Sequence, residues 1–459
     1  KIMVAPKTDE GLKRVIVVPG LAFNIINNTI GAGIFALPAI ISLALDGFAI
    51  FAYLFCSIMM ATIMLCYVEI GSRVTSSGGS YAYVQAAFGS FAGFIINWLF
   101  FFGFGVLGDA AIINIVADSL AVLFPVFKTL WMRGLLFFIL IGFMILINIR
   151  VAKHGVGFVK FITIIKLLPL IAIIIFGFSD IKSANLHWQH LPSFSTFGNS
   201  ILILFFAFAG FETALNVSGE IQNPKRTVPL GILIAGILVL IIYLLLQTIT
   251  EGVLGATMEA VKDAPLAAVA EKIIGPAGGI ILLIAAAVSC FGNVSGDVLL
   301  SPRLLFAGAN HGVFPAFLGK VHPRFATPYW AIIIYGALIL IFSISGGFKQ
   351  LAILASAAIL IIYLAVILAT IKLRRTKQEV AEKTFRMPLG LTIPVIAILS
   401  IVWLLSNLSK WEILSTMIFI VMICGFYFIM KEYKKRKKKI RRNKKYIDRG
   451  CRLKKKLLR

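Results

Sequence analysis

Apolar runs of about 20 residues or more recur along nearly the whole chain, and they restrict its fold more than any other feature. In hydrocarbon a backbone must satisfy its own hydrogen bonds, so such runs fold as helices, each needing about 20 residues at about 1.5 Å rise to cross. Composition agrees: 60% of the residues are hydrophobic and 14% charged, against about 45–50% and about 25% in soluble domains. Spans are predicted at about 15–45, 48–72, 91–123, 133–149, 155–179, 197–218, 229–254, 277–309, 329–346, 350–372, 389–408 and 411–430. The fold class is therefore an all-α integral membrane protein of about twelve transmembrane helices. Between spans 2 and 3, SSGGSYAYVQAAFGS reads as a glycine-rich turn and a short interfacial helix.

Charge adds direction. The net charge is +25, but 17 of the 44 Lys and Arg lie from Lys431 onward, so one tail holds much of the excess and nucleic-acid binding is excluded. Alternating the connections between two sides places 36 basic residues on the side holding both termini and 7 on the other. Without the two tails the ratio is still 15 to 7. Both termini are thus predicted to be cytoplasmic in a multi-pass cell-membrane protein. The chain divides into a cytoplasmic segment 1–14, a transmembrane domain 15–430 and a polybasic tail 431–459, which can anchor topology or press on anionic lipid. The first apolar stretch is too long and polar for a cleaved signal and is expected to stay in the membrane. Cysteines and histidines show no disulfide or metal-ligand spacing, and no cofactor is expected.

Two spans look broken in the middle. Span 1 carries Asn24, Asn27, Asn28 and Thr29, then Gly31, Ala32 and Gly33, with Pro38 a turn later. Glycine costs about 1 kcal/mol relative to alanine in a helix, and proline removes a backbone bond. An unwound point near Gly31 would leave N–H groups at the start of a second half-helix, where the dipole favours an anion. Span 6 shows Ala207, Phe208, Ala209, Gly210 and Phe211, then the charged Glu212. Small residues in membrane helices also serve tight packing. Two interruptions five spans apart nonetheless point to an inverted-repeat transporter with its site at the bilayer midplane.

GAGIFALP in span 1, FFAFAGFE with NPKRTVPLGI after span 6, and GNVSGDVLLSPRLLFAGANHGVFP in span 8 carry a resemblance to the amino acid, polyamine and organocation permeases. It runs from about Gly11 to the last span. The resemblance implies the leucine-transporter-like fold: a 5+5 inverted repeat (about 15–179 and 197–372) with discontinuous helices 1 and 6, plus two extra helices at 389–430. It also implies that an amino-acid carboxylate meets the N–H groups of Gly31, Ala32 and Gly33. The amine would meet carbonyls of Thr29, Phe206, Ala207 and Ala209, with the Phe206 ring as gate. Asp297 would line the side-chain end of the pocket. Lys166 would stand where sodium-dependent relatives bind a cation, between spans 1 and 8.

These residues set the functional expectation. An acid inside a membrane is expensive, so Glu212 beside the break is expected to hold the closed arrangement, or to pair structurally with a polar neighbour. Asp297 could select cationic side chains, yet the Phe-rich runs of spans 3 and 6 favour neutral ones. Lys166 lies too deep to snorkel easily from the cytoplasmic surface, and the expense of a bare ammonium there makes it a candidate proton carrier. The expectation is a proton-coupled, sodium-independent symporter of neutral amino acids. An exchanger of cationic substrates is the alternative. A channel would show rings of charge or a filter repeat, and a membrane-embedded transferase would show converging acids. Glu69, Asp109, Glu212 and Asp297 instead stand on four spans, and no enzyme activity is expected.

Overall fold

A computed structural model describes residues 16–31, 33–74, 78–150, 155–188, 190–310, 315–325, 327–375 and 385–432. The N-terminal segment, Ala32 and the polybasic tail from 433 onward lie outside the described residues. Among those described, every regular element is a helix, and the one β contact is an isolated bridge between Ile16 and Ile221.

In chain order the helices are α1 (Val18–Thr29), α2 (Gly33–Leu45), α3 (Ala49–Arg73), α4 (Gly79–Phe88), α5 (Ser90–Trp98), α6 (Leu107–Leu123), α7 (Leu130–Arg150), α8 (Gly155–Gly177), α9 (Phe194–Phe208), α10 (Pro224–Leu254), α11 (Pro265–Ile274), α12 (Pro276–Leu300), α13 (Pro302–Asn310), α14 (Tyr329–Ser345), α15 (Phe348–Arg375), α16 (Thr392–Ser406) and α17 (Lys410–Glu432). Local chemistry starts several of them. Prolines open α10, α11 and α12, where no N–H partner is needed. Ser193 caps α9 through its hydroxyl, and Ser409 and Glu412 cap each other's N–H groups at the start of α17.

Eight helical stretches among the described residues are long and apolar enough to cross a membrane, with α14 and α16 as shorter apolar helices beside them. One such stretch, Gly33–Arg73, has 41 residues. At about 1.5 Å each it would extend about twice the hydrocarbon thickness; a turn at Asp46, with φ +48°, divides it into α2 and α3. The outer faces of α7 and α17 expose Phe138, Ile139, Phe143, Met417 and Val421, an apolar surface suited to lipid tails.

Two local features go beyond the sequence reading, and a third gives an expected helix its place in the packing. Span 3 contains a π-helical stretch, Leu99–Val106, where Gly103 packs so closely that an added Cβ would lie 2.5 Å from that of Ala358 on α15. The predicted span 8 is two helices, α12 and α13, because Pro302 has no N–H to continue the ladder. The helix expected before span 3 forms as α4, with Ser80, Tyr83 and Val84 buried and packed against α15 and the 3₁₀ segment Phe211–Glu220.

Candidate functional site

The break in span 1 follows from its residues. Gly31 N–H turns back to the Thr29 carbonyl at 2.8 Å, so it no longer serves Asn27 as a helix would require. The Asn27 and Ile30 carbonyls, freed at the end of α1, accept hydrogen bonds from Lys166 Nζ of α8 at 2.5 and 2.7 Å. That ammonium is buried, and Cys290 of α12 stands beside it, so Lys166 lies between span 1 and span 8.

Span 6 opens at Ala209, which is extended, and Gly210, at φ +116°. Here the glycine is required. Its φ lies in the left-handed region, and an added Cβ would come 2.7 Å from the Asn28 carbonyl oxygen. The two breaks therefore touch backbone to backbone. Asn28 Nδ2 donates to Thr213 Oγ1 at 2.7 Å, adding a side-chain bridge between them.

Glu212 holds the second break. Its carboxylate accepts from Gly210 N–H at 3.1 and 3.2 Å and from the Tyr363 hydroxyl at 2.6 Å. Tyr243 of α10 joins both breaks from behind, its hydroxyl within hydrogen-bond distance of the Thr29 carbonyl at 3.0 Å and the Ala207 carbonyl at 2.8 Å. One hydroxyl carries one proton, so it serves one of these acceptors at a time.

The structure distributes the other sequence-derived residues unevenly. Phe206 is buried with its ring 5.8 Å from that of Phe348, edge to face. Gly33 is in close packing: a Cβ there would come 2.9 Å from that of Ala207. Gly31 faces α12, where a Cβ would come 2.6 Å from Asn293 Nδ2. Asp297, one turn further along α12, shares a hydrogen bond with Asp109 of α6, and Asp109 accepts another from the Tyr335 hydroxyl at 2.9 Å. Two acids expected on separate spans thus meet as a pair. Ala32 lies outside the described residues. No group of three or more His, Cys, Asp or Glu able to hold a metal ion occurs among the described residues.

Sequence reasoning missed Tyr243, Tyr363 and Asn293. A signal was present for the tyrosines: each interrupts a run of aliphatic residues, and a buried phenol needs a partner for its hydroxyl.

Comparison with known proteins bears on the whole arrangement. The family described as amino acid permease matches residues 18–428. The serine/threonine exchanger SteT of Bacillus subtilis is 30% identical over 446 residues, covering 92% of this chain and 95% of its own. The b(0,+)-type amino acid transporter 1 of Rattus norvegicus is 25% identical, covering 94% of this chain and 90% of its own. Its human counterpart is 26% identical with the same coverage.

Proposed function

The chain belongs to the amino acid permease family, and from that premise we propose that it carries amino acids across the membrane by alternating access, binding them between the two helix breaks. Span 1 is α1 with α2, span 6 is α9 with the 3₁₀ segment, and span 8 is α12 with α13. Twelve traverses then place both chain ends in the cytoplasm, with spans 1–5 and 6–10 as inverted repeats. The observation that carries the reading is the meeting of the breaks, Gly210 against the Asn28 carbonyl, with Lys166 on the carbonyls that α1 releases.

A zwitterion suits this arrangement. Its carboxylate is received at the positive end of α2, around Gly31, Ala32 and Gly33; Gly31 N–H then leaves the Thr29 carbonyl. Its ammonium is received by the carbonyls of Phe206 and Ala209, together with whichever of the Thr29 and Ala207 carbonyls Tyr243 is not serving. Phe206 closes over the substrate, and Glu212 keeps the span 6 break in register through Gly210. Neutral amino acids are favoured, because Asp297 is engaged with Asp109 rather than held ready for a cationic side chain.

Lys166 occupies with its own ammonium the place a sodium ion would need, and it cycles its proton as the span 1 carbonyls move. Transport is therefore sodium-independent and proton-coupled. Obligatory exchange is the second reading, favoured by the Bacillus relative's description as an exchanger. Uptake of each of the twenty amino acids into vesicles carrying the purified chain decides between them. An inward proton gradient is expected to drive uptake in the native protein, and Lys166→Ala to lose that dependence. Uptake driven by sodium and indifferent to pH would overturn the coupling. Uptake occurring only when the vesicles are preloaded with amino acid would establish exchange.

A further inference from the structure

A cavity of about 400 Å³ lies between α6, α7 and the turn joining α14 to α15, within the size range of small-ligand sites. Asn114, Asp118, Arg133, Ser345 and Phe348 line it. Arg133 is held in one orientation: Nη1 donates to Asp118 Oδ1 at 2.6 Å and Nη2 to Asn114 Oδ1 at 2.7 Å, while the guanidinium lies 5.5 Å from the centre of the Phe137 ring. Asn114 donates in turn to the Ser343 and Gly346 carbonyls, at 3.2 Å each, which ties the guanidinium to the turn before α15. The two charged side chains keep 22% and 33% of their surface exposed, so they remain available to a solute. Phe348 closes one wall, and its ring packs edge to face on Phe206 at the second break.

We propose that this cavity is a docking site for α-amino acids on their way to the breaks, with the carboxylate on Arg133, the ammonium on Asp118 and the side chain toward Phe348. The proposal rests on the transport reading above. Fixed charges of opposite sign side by side offer little to a lone anion or cation, since each ion would gain one partner and be repelled by the other. A zwitterion satisfies both. Opening a partly exposed ion pair is cheap, and Arg133 retains Asn114 as a partner while it opens. Phe348 links the cavity to the breaks, since its ring is on the cavity wall and packs on Phe206, just before the Ala209–Gly210 break. The site faces one side of the membrane, the side of the α6–α7 and α14–α15 connections, which the charge distribution assigns to the exterior.

The test is sided transport kinetics with L-serine, or with whichever of the twenty amino acids gives the greatest uptake. Arg133→Gln should raise KM for influx from the exterior about tenfold, equivalent to about 1.4 kcal/mol, with kcat within about twofold. KM for efflux measured from the cytoplasmic side should not move. Because Arg133 also braces α6 against α7, Gly134→Leu provides a second variant: Gly134 lines the cavity and has nothing within 4 Å of an added Cβ, so the leucine fills the space without breaking the ion pair. It should show the same one-sided rise. Unchanged KM in both variants, or an equal change on both sides, would overturn the docking site while leaving the transport reading standing. Absence of uptake of all twenty amino acids by the unaltered chain would overturn both.

Discussion

Gly210 combines a φ of +116° with an approach that leaves an added Cβ 2.7 Å from the Asn28 carbonyl. Backbone strain of this kind costs about 1–3 kcal/mol for a residue with a side chain, and the contact on backbone cannot be relieved by a rotamer change. Gly210→Ala is therefore expected to lower the apparent Tm of the detergent-purified protein and its folded yield. Gly142→Ala, where an added Cβ meets nothing within 4 Å, should leave both unchanged or slightly raised. A similar loss in the two variants would show that the approach of the breaks is not what constrains Gly210. The FAFAGFE run marked this place as a break from sequence alone. What only the fold shows is that the backbone opposite is Asn28, in the other broken helix.

At the scale of elements, breaks and ties alternate. Glu69 of α3 is fully buried, and it accepts from Arg73 at 2.8 Å, from Arg374 of α15 through both Nε and Nη2, and from Met387 N–H just before α16. One carboxylate thus joins three elements. Removing one partner of a buried ion pair costs about 3–5 kcal/mol; without Glu69 the guanidinium groups of Arg73 and Arg374 keep backbone acceptors at Leu373 and Gly390 but lose their counter-charge. Glu69→Gln is expected to reduce stability strongly, readable as a fall in Tm, whereas Glu412→Gln, at an exposed helix start, should cost about 1 kcal/mol or less. Equal effects would remove the tie. In the sequence Glu69 stands out as an intramembrane acid with Arg73 one helical turn on, but its other partners lie 305 positions away at Arg374 and 318 at Met387, beyond any helical periodicity. The division of span 8 at Pro302 was legible in principle, since proline ends a helical ladder wherever it falls.

The whole molecule turns an apolar face outward, and α7 presents it openly: Phe138, Ile139 and Phe143 are each more than half exposed. If lipid covers that face, an acid at its centre must cost about 3 kcal/mol on membrane insertion. Ile139→Asp should therefore reduce the membrane-inserted fraction in a cell-based insertion assay. Asp substituted at Leu191, which is equally apolar but lies in the connection before α9, should not. Equal insertion of both would mean that α7 is covered by protein rather than lipid.

The sequence by itself determined the solvent, the helical class, the two weak points and the candidate ammonium, because each follows from local composition: apolar length, glycine and proline placement, and a charge where charge is expensive. It also carried, in three motifs, the family to which the chain belongs. The tertiary structure decided which groups meet. The carbonyls of Thr29 and Ala207 looked equally available with those of Phe206 and Ala209, yet Tyr243, more than 200 residues after Thr29, reaches the first two. Asp109 and Asp297 looked scattered and share a hydrogen bond. Gly31 N–H looked free for a ligand and instead closes a turn on Thr29. Hydrogen bonds released by a broken helix must be taken up by something, and what takes them up depends on which distant side chain the packing brings within about 3 Å.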